Sequence, residues 1–295
     1  MLRLFNDCVA MLFGFLAVHL CQRSRLLWAA VAMSVGISIK MNLLLMLPGF
    51  FLILVKGAPL EKHILGVVLM GAVQLGLALP FIADHPSSYA SKAFEFSRVF
   101  VHHWTVNFKF VPESIFVSKH FATALLCLHL CFLFAFAHFR WCRKEGGVFQ
   151  VLKKWLASVA VGLLPIFGVR INQGIRKRTR GGSGEEGAVG RVDPEFVADV
   201  LFGCNFVGIV FARSLHYQFY SWYFPTIVFL LFSATVIPVP AKVLLWLLIE
   251  ACFNVFPSTE TSSAVLCACH LVVMVSHFVS TFVRGRGGER KTKLK

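Results

Sequence analysis

From Phe121 to Phe139 the chain carries no Asp, Glu, Lys or Arg, and the stretch from Tyr223 to Val239 is equally free of them. Each run is close to the roughly 20 apolar residues with which a helix crosses the hydrocarbon of a bilayer. Neither alternates polar with apolar residues, as the strands of a membrane barrel must. A helix also satisfies its own backbone groups, which lipid cannot do for it. With 57% hydrophobic and 15% charged residues, the composition lies outside the soluble range. The sequence therefore predicts an all-α, polytopic membrane protein.

The candidate spans are 8–20, 26–39, 42–55, 63–83, 121–139, 197–212, 222–238, 241–256 and 264–283. That makes about nine transmembrane helices, several of them short enough to require tilting or pairing. Pro48, Pro80, Pro225 and Pro238 fall in or beside them, where the missing backbone donor kinks or ends a helix. Asp193-Pro194-Glu195 has the form of a helix start, with Asp as N-cap and Pro in the first turn. No internal repeat and no second, soluble domain is visible, so residues 1–295 are expected to form one membrane domain. The segment 151–169 is apolar enough to span, yet Lys153 and Lys154 flank it on one side and Arg170, Arg176, Lys177, Arg178 and Arg180 on the other. A crossing with two strongly basic flanks is disfavoured. Residues 140–192 are therefore read as a basic cytoplasmic loop in which 151–169 lies on or dips into the membrane, and 181–190 has a Gly-rich, polar, disordered composition.

Nine spans with a cytoplasmic C-terminus sort the charges. Of 29 Lys and Arg, only Arg3, Lys40, Lys92, Arg98, Lys109, Lys119 and Arg213 fall on the other face. The net charge of +15 then follows from topology and lipid headgroups, which makes nucleic-acid binding the less economical reading. The same topology gathers the chain start, the loop 84–120, the segment 213–223 and residues 257–263 on one non-cytoplasmic face, and leaves 284–295 as a cytoplasmic tail.

That face holds the chemistry. All four tyrosines lie there, and Arg213, His216, Tyr217 and Tyr220 follow the i, i+3, i+4, i+7 spacing of one helix face. An interfacial aromatic belt explains the rings alone; Arg, His and Gln218 interleaved among them favour a site. Nine cysteines, mostly within spans, suit small packing roles. Cys267-x-Cys269-His270 lies in a predicted helix and is better read as coincidence than as a metal site, and no cofactor is implied. His102-His103 is a weaker ligand-binding candidate. A transporter is the alternative class, but only a few ionisable groups, such as Glu250 and His129, fall at mid-span, while the rest cluster at span ends.

The strings Leu-Arg-Leu-Phe-Asn-Asp (2–7), Ser-Ile-Lys-Met-Asn (38–42), His-Trp-Thr-Val-Asn-Phe-Lys-Phe-Val-Pro-Glu (103–113), Asn-Phe-Val-Gly-Ile-Val-Phe-Ala-Arg-Ser-Leu-His-Tyr-Gln-Phe-Tyr-Ser-Trp-Tyr (205–223) and Phe-Pro-Ser-Thr (256–259) occur in an order and spacing of their own. They closely resemble the endoplasmic-reticulum α-1,3-mannosyltransferases of asparagine-linked glycosylation, glycosyltransferase family 58. The resemblance covers most of the chain outside about residues 141–192. It implies a GT-C type membrane enzyme that moves mannose from dolichyl phosphate mannose to a five-mannose oligosaccharide on dolichyl diphosphate. Inversion at the anomeric carbon needs a carboxylate base, and an anionic leaving group needs cations and donors. Arg213 and His216 lead as candidates for the phosphate, with Lys40 and Gln218 behind them. Tyr217, Tyr220 and Trp222 are expected to stack on sugar or shape the lipid groove. Asn6 and Asp7 are candidates for sugar hydroxyls, with capping of a helix from Cys8 the weightier role for Asp7.

The family's first span and acidic luminal loop are not matched, so the chain reads as an N-terminally truncated form or an inactive fragment that binds dolichol-linked lipid, and its catalytic base stays unassigned. The tail Lys291-Thr-Lys-Leu-Lys295 is similar to a dilysine retrieval signal, in keeping with a multi-pass protein of the endoplasmic-reticulum membrane.

Overall fold

The computed structural model describes residues 5–93, 100–163 and 192–283, and the backbone course alone from 284 to 292. Arg3, the Gly-rich stretch 181–190, Lys293 and Lys295 therefore lie outside the described residues, as do 164–169 and the whole basic flank 170–180.

Among the described residues the regular structure is helical. The helices are α1 (Asp7–Gln22), α2 (Leu26–Ile39), α3 (Leu47–Gly57), α4 (Leu60–Asp84), α5 (Pro86–Ala93), α6 (Glu113–Phe116), α7 (Lys119–Phe136), α8 (Val148–Leu163), α9 (Pro194–Val210), α10 (Phe224–Ser233), α11 (Val239–Asn254) and α12 (Glu260–Thr292). Three stretches are long and apolar enough to cross a membrane: Leu60–Asp84, Lys119–Trp141 and Glu260–Val283. Four shorter apolar helices, α1, α2, α3 and α10, stand beside them.

Local chemistry explains the boundaries. The Asp193 carboxylate accepts from the Glu195 N–H at 3.1 Å, and Pro194 occupies the first turn, where its missing donor costs nothing. Ser118 caps α7 in the same way through the Phe121 N–H. Pro48 and Pro225 likewise begin helices, Pro238 precedes one, and Pro80 sits inside an unbroken α4. The expected span 42–55 begins as a 3-10 turn over Met41–Met46, and the expected 222–238 is helical only from Phe224 to Ser233. A π-turn over Ala137–Trp141 ends α7, and Gly146 and Gly147, at φ 85° and 101°, turn the chain into α8.

The core forms around α9, most of which is buried, packed on α3, α7 and α12. On one side α1 and α2 make a tight hairpin rich in small buried residues, Ala10, Gly14 and Ala17 on α1 and Ala29 and Gly36 on α2. Small residues let two backbones approach closely where lipid gives no hydrophobic drive for association. Leu43 plugs this seam, so a Cβ at Gly36 would run into it and come within 3.3 Å of the Ala10 carbonyl oxygen. Leaving 23–25, the chain alternates between two ends of the bundle. The starts of α1, α7, α10 and α12 share one end with the finishes of α2, α4, α9 and α11.

At the opposite end a buried ionic network was not anticipated. The Arg140 guanidinium donates to Asp199 Oδ1 at 2.6 Å and Oδ2 at 2.9 Å, and also to the His277 carbonyl and the Thr281 hydroxyl. His277 Nε2 lies 3.0 Å from Asp199 Oδ1, while Ser233 meets the other ring nitrogen at 2.9 Å. Four helical segments are joined through one aspartate.

Candidate functional site

The residues singled out by sequence meet at the end where α1 begins. Asp7 is the first residue of α1 and its side chain is 2% exposed. The helix is preceded by Asn6, which makes no side-chain cap; its amide instead donates to the Ile39 carbonyl at 3.0 Å, stapling the start of α1 to the end of α2. Capping is therefore not the work of Asp7. Its carboxylate takes both oxygens to Lys40 Nζ at 2.6 Å and accepts the Trp222 indole N–H at 2.5 Å. Lys40 is brought there by extended backbone directly after α2, at φ −155° and ψ 131°. Its ammonium also lies 5.1 Å from the Phe219 ring centroid and 5.7 Å from that of Trp222, and those two rings stack at 3.9 Å. A carboxylate, an ammonium and two aromatic faces thus converge from residues 7, 40, 219 and 222. Buried at this depth, each charge is tolerated because the other is present.

The shared helical face expected for Arg213, His216, Tyr217 and Tyr220 does not form. α9 ends at Val210, an irregular segment follows, and a 3-10 turn occupies Tyr217–Trp222. The physical reason lies in the loop 100–118. Asn107 donates to the Ala212 carbonyl at 2.6 Å and accepts from the Leu215 N–H at 2.7 Å, while the Val106 N–H donates to the Leu215 carbonyl. These partners outcompete the helical bonds of 211–216. Ser258 donates to the Thr105 carbonyl and Ser263 accepts from the Lys109 N–H, which ties the start of α12 to the same loop.

The dispersed candidates take different partners. Arg213 donates to the Phe116 carbonyl at 3.3 Å and the Val117 carbonyl at 2.8 Å, and lies 5.4 Å from the Phe100 ring. His216 packs edge-on against Phe219. Tyr217 donates to the Val255 carbonyl, and Gln218 is half-buried with its carbonyl accepting from Ser221. Tyr220 donates to Glu250 Oε2 at 2.6 Å and stacks on Phe253 at 4.4 Å. Burial first, then the Glu250 hydrogen bond and negative charge, hold the Tyr220 phenol above its ordinary pKa, so it stays a donor. Of the nine candidates, Asn6, Asp7, Lys40 and Trp222 form one cluster, and the others line the segment beside it. His102 and His103 pack on Phe116 and Trp104, with their carbonyls accepting from Lys109 Nζ.

Sequence reasoning passed over Phe219 as a cation partner and Asn107 as the organiser of the loop. An amide inside the aromatic string 103–110 was the available signal, since a buried Asn must place its donors and acceptor. Among the described residues no group of three His, Cys, Asp or Glu converges as a metal site would, and His270, beside Cys269, pairs instead with the Tyr223 hydroxyl at 2.8 Å.

A family model described as ALG3 protein matches residues 1–263. A protein of Arabidopsis thaliana named Dol-P-Man:Man(5)GlcNAc(2)-PP-Dol alpha-1,3-mannosyltransferase is 41% identical over 289 residues, covering 96% of this chain and 60% of its own length. Relatives of the same name from Homo sapiens and Neurospora crassa are 36% and 39% identical, over 93% and 90% of this chain and 57% and 56% of theirs. The chain thus spans somewhat under two thirds of the curated relatives it matches. No solved structure matches it.

Proposed function

The chain belongs to the ALG3 family, and from that premise we propose that it carries the membrane part of a mannosyltransferase that uses dolichyl phosphate mannose as donor and a five-mannose oligosaccharide on dolichyl diphosphate as acceptor. The observation that carries this reading is the 41% identity, over 96% of the chain, to a relative named for that reaction. In the transfer, the acceptor 3-hydroxyl oxygen bonds to the anomeric carbon, its proton goes to a base, and dolichyl phosphate leaves with the electron pair of the broken C–O bond. What the leaving phosphate needs is a cation held at the membrane surface.

Lys40 is our candidate for that cation. Its side chain is 24% exposed, whereas Asp7 beneath it is almost wholly covered. Asp7 then orients and balances Lys40, and the Phe219–Trp222 stack gives sugar or polyprenyl chain a flat apolar wall. Asp7 already accepts from Lys40 and Trp222, so it is not assigned as the base. Arg213, His216, Tyr217, Gln218 and Tyr220 form the rest of the same mouth in this reading, with Arg213 as the strut that holds 116–117 against it.

The proposed setting is the endoplasmic-reticulum membrane, in the GT-C manner, with the mouth luminal and the C-terminus cytoplasmic. Nine passes would be made by α1, α2, the 41–57 segment, α4, α7, α9, α10, α11 and α12. The distribution of Lys and Arg supports that orientation.

The test is the profile of lipid-linked oligosaccharides in cells lacking the corresponding mannosyltransferase, with this chain expressed and its insertion verified. Extension of the accumulated five-mannose species supports the proposal. Continued accumulation with correct insertion refutes it for this chain.

A further inference from the structure

At the end of the bundle away from Lys40, a cavity of about 330 Å³ opens between α3, α4 and α8. That volume falls within the range of about 300–1,000 Å³ typical of small-ligand sites. Leu54 and His63 line one side, and Val148, Val151, Leu152 and Trp155 line the other. The four α8 residues are spaced i, i+3, i+4, i+7, which puts them on one stripe of the helix. Gln150, Lys153 and Lys154 occupy the opposite stripe, and both lysines are exposed. Phe149 and Leu156 border the apolar stripe and are 62% and 52% exposed. A helix with this division lies in the plane of a membrane surface, apolar side inward.

Two polar side chains interrupt the apolar wall. Trp155 Nε1 is buried without a hydrogen-bond partner, and so are both ring nitrogens of His63, a residue only 9% exposed. The backbone of Leu54 and Ala58 lies beside the His63 ring without a hydrogen bond of proper geometry. An indole N–H can only donate, and a buried donor without an acceptor is costly. The cavity thus has an apolar body, an indole donor without an acceptor beside the His63 ring, and exposed cations at the same level of the bundle: Lys62 next to His63, and Lys153 and Lys154 on the outer stripe of α8.

We propose that this cavity holds an acyl chain of an anionic glycerophospholipid from the adjacent leaflet. The chain fills the apolar body, an ester or phosphate oxygen accepts from Trp155 Nε1 and meets His63, and the headgroup lies in the interfacial layer whose positive potential comes from Lys62 and from Lys153 and Lys154 on the outer stripe of α8. The assignment is independent of mannosyl transfer, since it uses none of the residues at the Lys40 end.

The experiment reconstitutes the full chain in phosphatidylcholine nanodiscs containing a minor fraction of phospholipid with brominated acyl chains, which quench nearby indoles, and reads Trp fluorescence. Brominated phosphatidylserine is expected to quench the Trp155 component several-fold more than brominated phosphatidylcholine. A Lys near an anionic lipid surface contributes a factor of roughly five in affinity, so K153Q/K154Q should bring that several-fold preference down to near unity. Trp28 and Trp246 are exposed on apolar helices and are quenched with either headgroup, so the readout is the excess quenching by phosphatidylserine; Trp155→Phe should remove that excess, and Val151→Phe, which fills the cavity and leaves both polar groups in place, should reduce it. Equal quenching by the two headgroups overturns the proposal, as does an excess with phosphatidylserine that survives Trp155→Phe. Displacement of the effect by a polyisoprenyl phosphate but not by unbrominated phosphatidylserine overturns it too, and assigns the cavity to an isoprenoid tail instead.

Discussion

Replacing Arg140 by Leu is expected to destabilise the protein by roughly 3–5 kcal/mol, the cost of leaving one member of a buried ion pair uncompensated. The structure supports the upper part of that range. The Arg140 and Asp199 side chains are 10% and 14% exposed, and the guanidinium serves the carboxylate, the His277 carbonyl and the Thr281 hydroxyl together. Without it, Asp199 keeps, among the described residues, only His277 as a charged or chargeable neighbour. At about 2 °C per kcal/mol for a chain of this size, Tm should fall by roughly 6–10 °C. Thermal unfolding in detergent, followed by tryptophan emission and by the fraction remaining monodisperse, measures it. The double variant R140L/D199L removes both charges and should recover most of the loss, because well-packed apolar replacements of a buried pair are often near neutral. A single variant within about 1 °C of wild type, or a double variant showing the sum of two full losses, would refute the reasoning.

Asn107→Ala deletes the amide that bridges 105 to 212 and 215; about 1–3 kcal/mol should be lost, seen as faster hydrogen exchange across 211–216 while α9 stays protected. Gly36→Ala should cost about 1–3 kcal/mol through its clash in the α1–α2 seam, and shortening Leu43 to Val in the same chain should recover part of it in a thermal-shift assay. Trp222→Phe keeps the ring stack but removes a donor to Asp7, so stability should drop by about 1.5–3 kcal/mol by the same assay. Lys40→Gln should abolish any extension of the five-mannose lipid while insertion, checked by glycosylation mapping, is unchanged; retained extension would take Lys40 out of the site.

Much of the helical framework was legible because lipid imposes it. Runs such as 121–139 admit no other backbone, and Asp193-Pro194 announced the start of α9 through local bonds alone. The course of the segment 211–223 was not legible, and Arg213, His216, Tyr217 and Tyr220 were read as one helix face. Its conformation is decided by Asn107, more than a hundred residues away, and periodicity carries no information about a partner at that distance. For the same reason the role of Asp7 was misweighed: its position at a helix start suggested a cap, while Lys40 and Trp222, the groups that claim it, come from two other elements. Arg140 and Asp199 escaped notice because each alone resembles an ordinary charge at a span end, and nothing in the local sequence around His277 points to either.

The Arg140 network also sets a timetable. Asp199 follows Arg140 by 59 residues and His277 follows by 137. At about 5–20 residues per second, a ribosome makes the aspartate roughly 3–12 s after the arginine, and the histidine later still. During that interval the end of α7 carries a cation with no counter-ion of its own, and such a group stays at the water interface until one arrives. The final seating of α7 is thereby postponed until α9 has been made, and the closing contact waits for α12. One aspartate, emerging midway, determines when the first half of the bundle is able to lock onto the second.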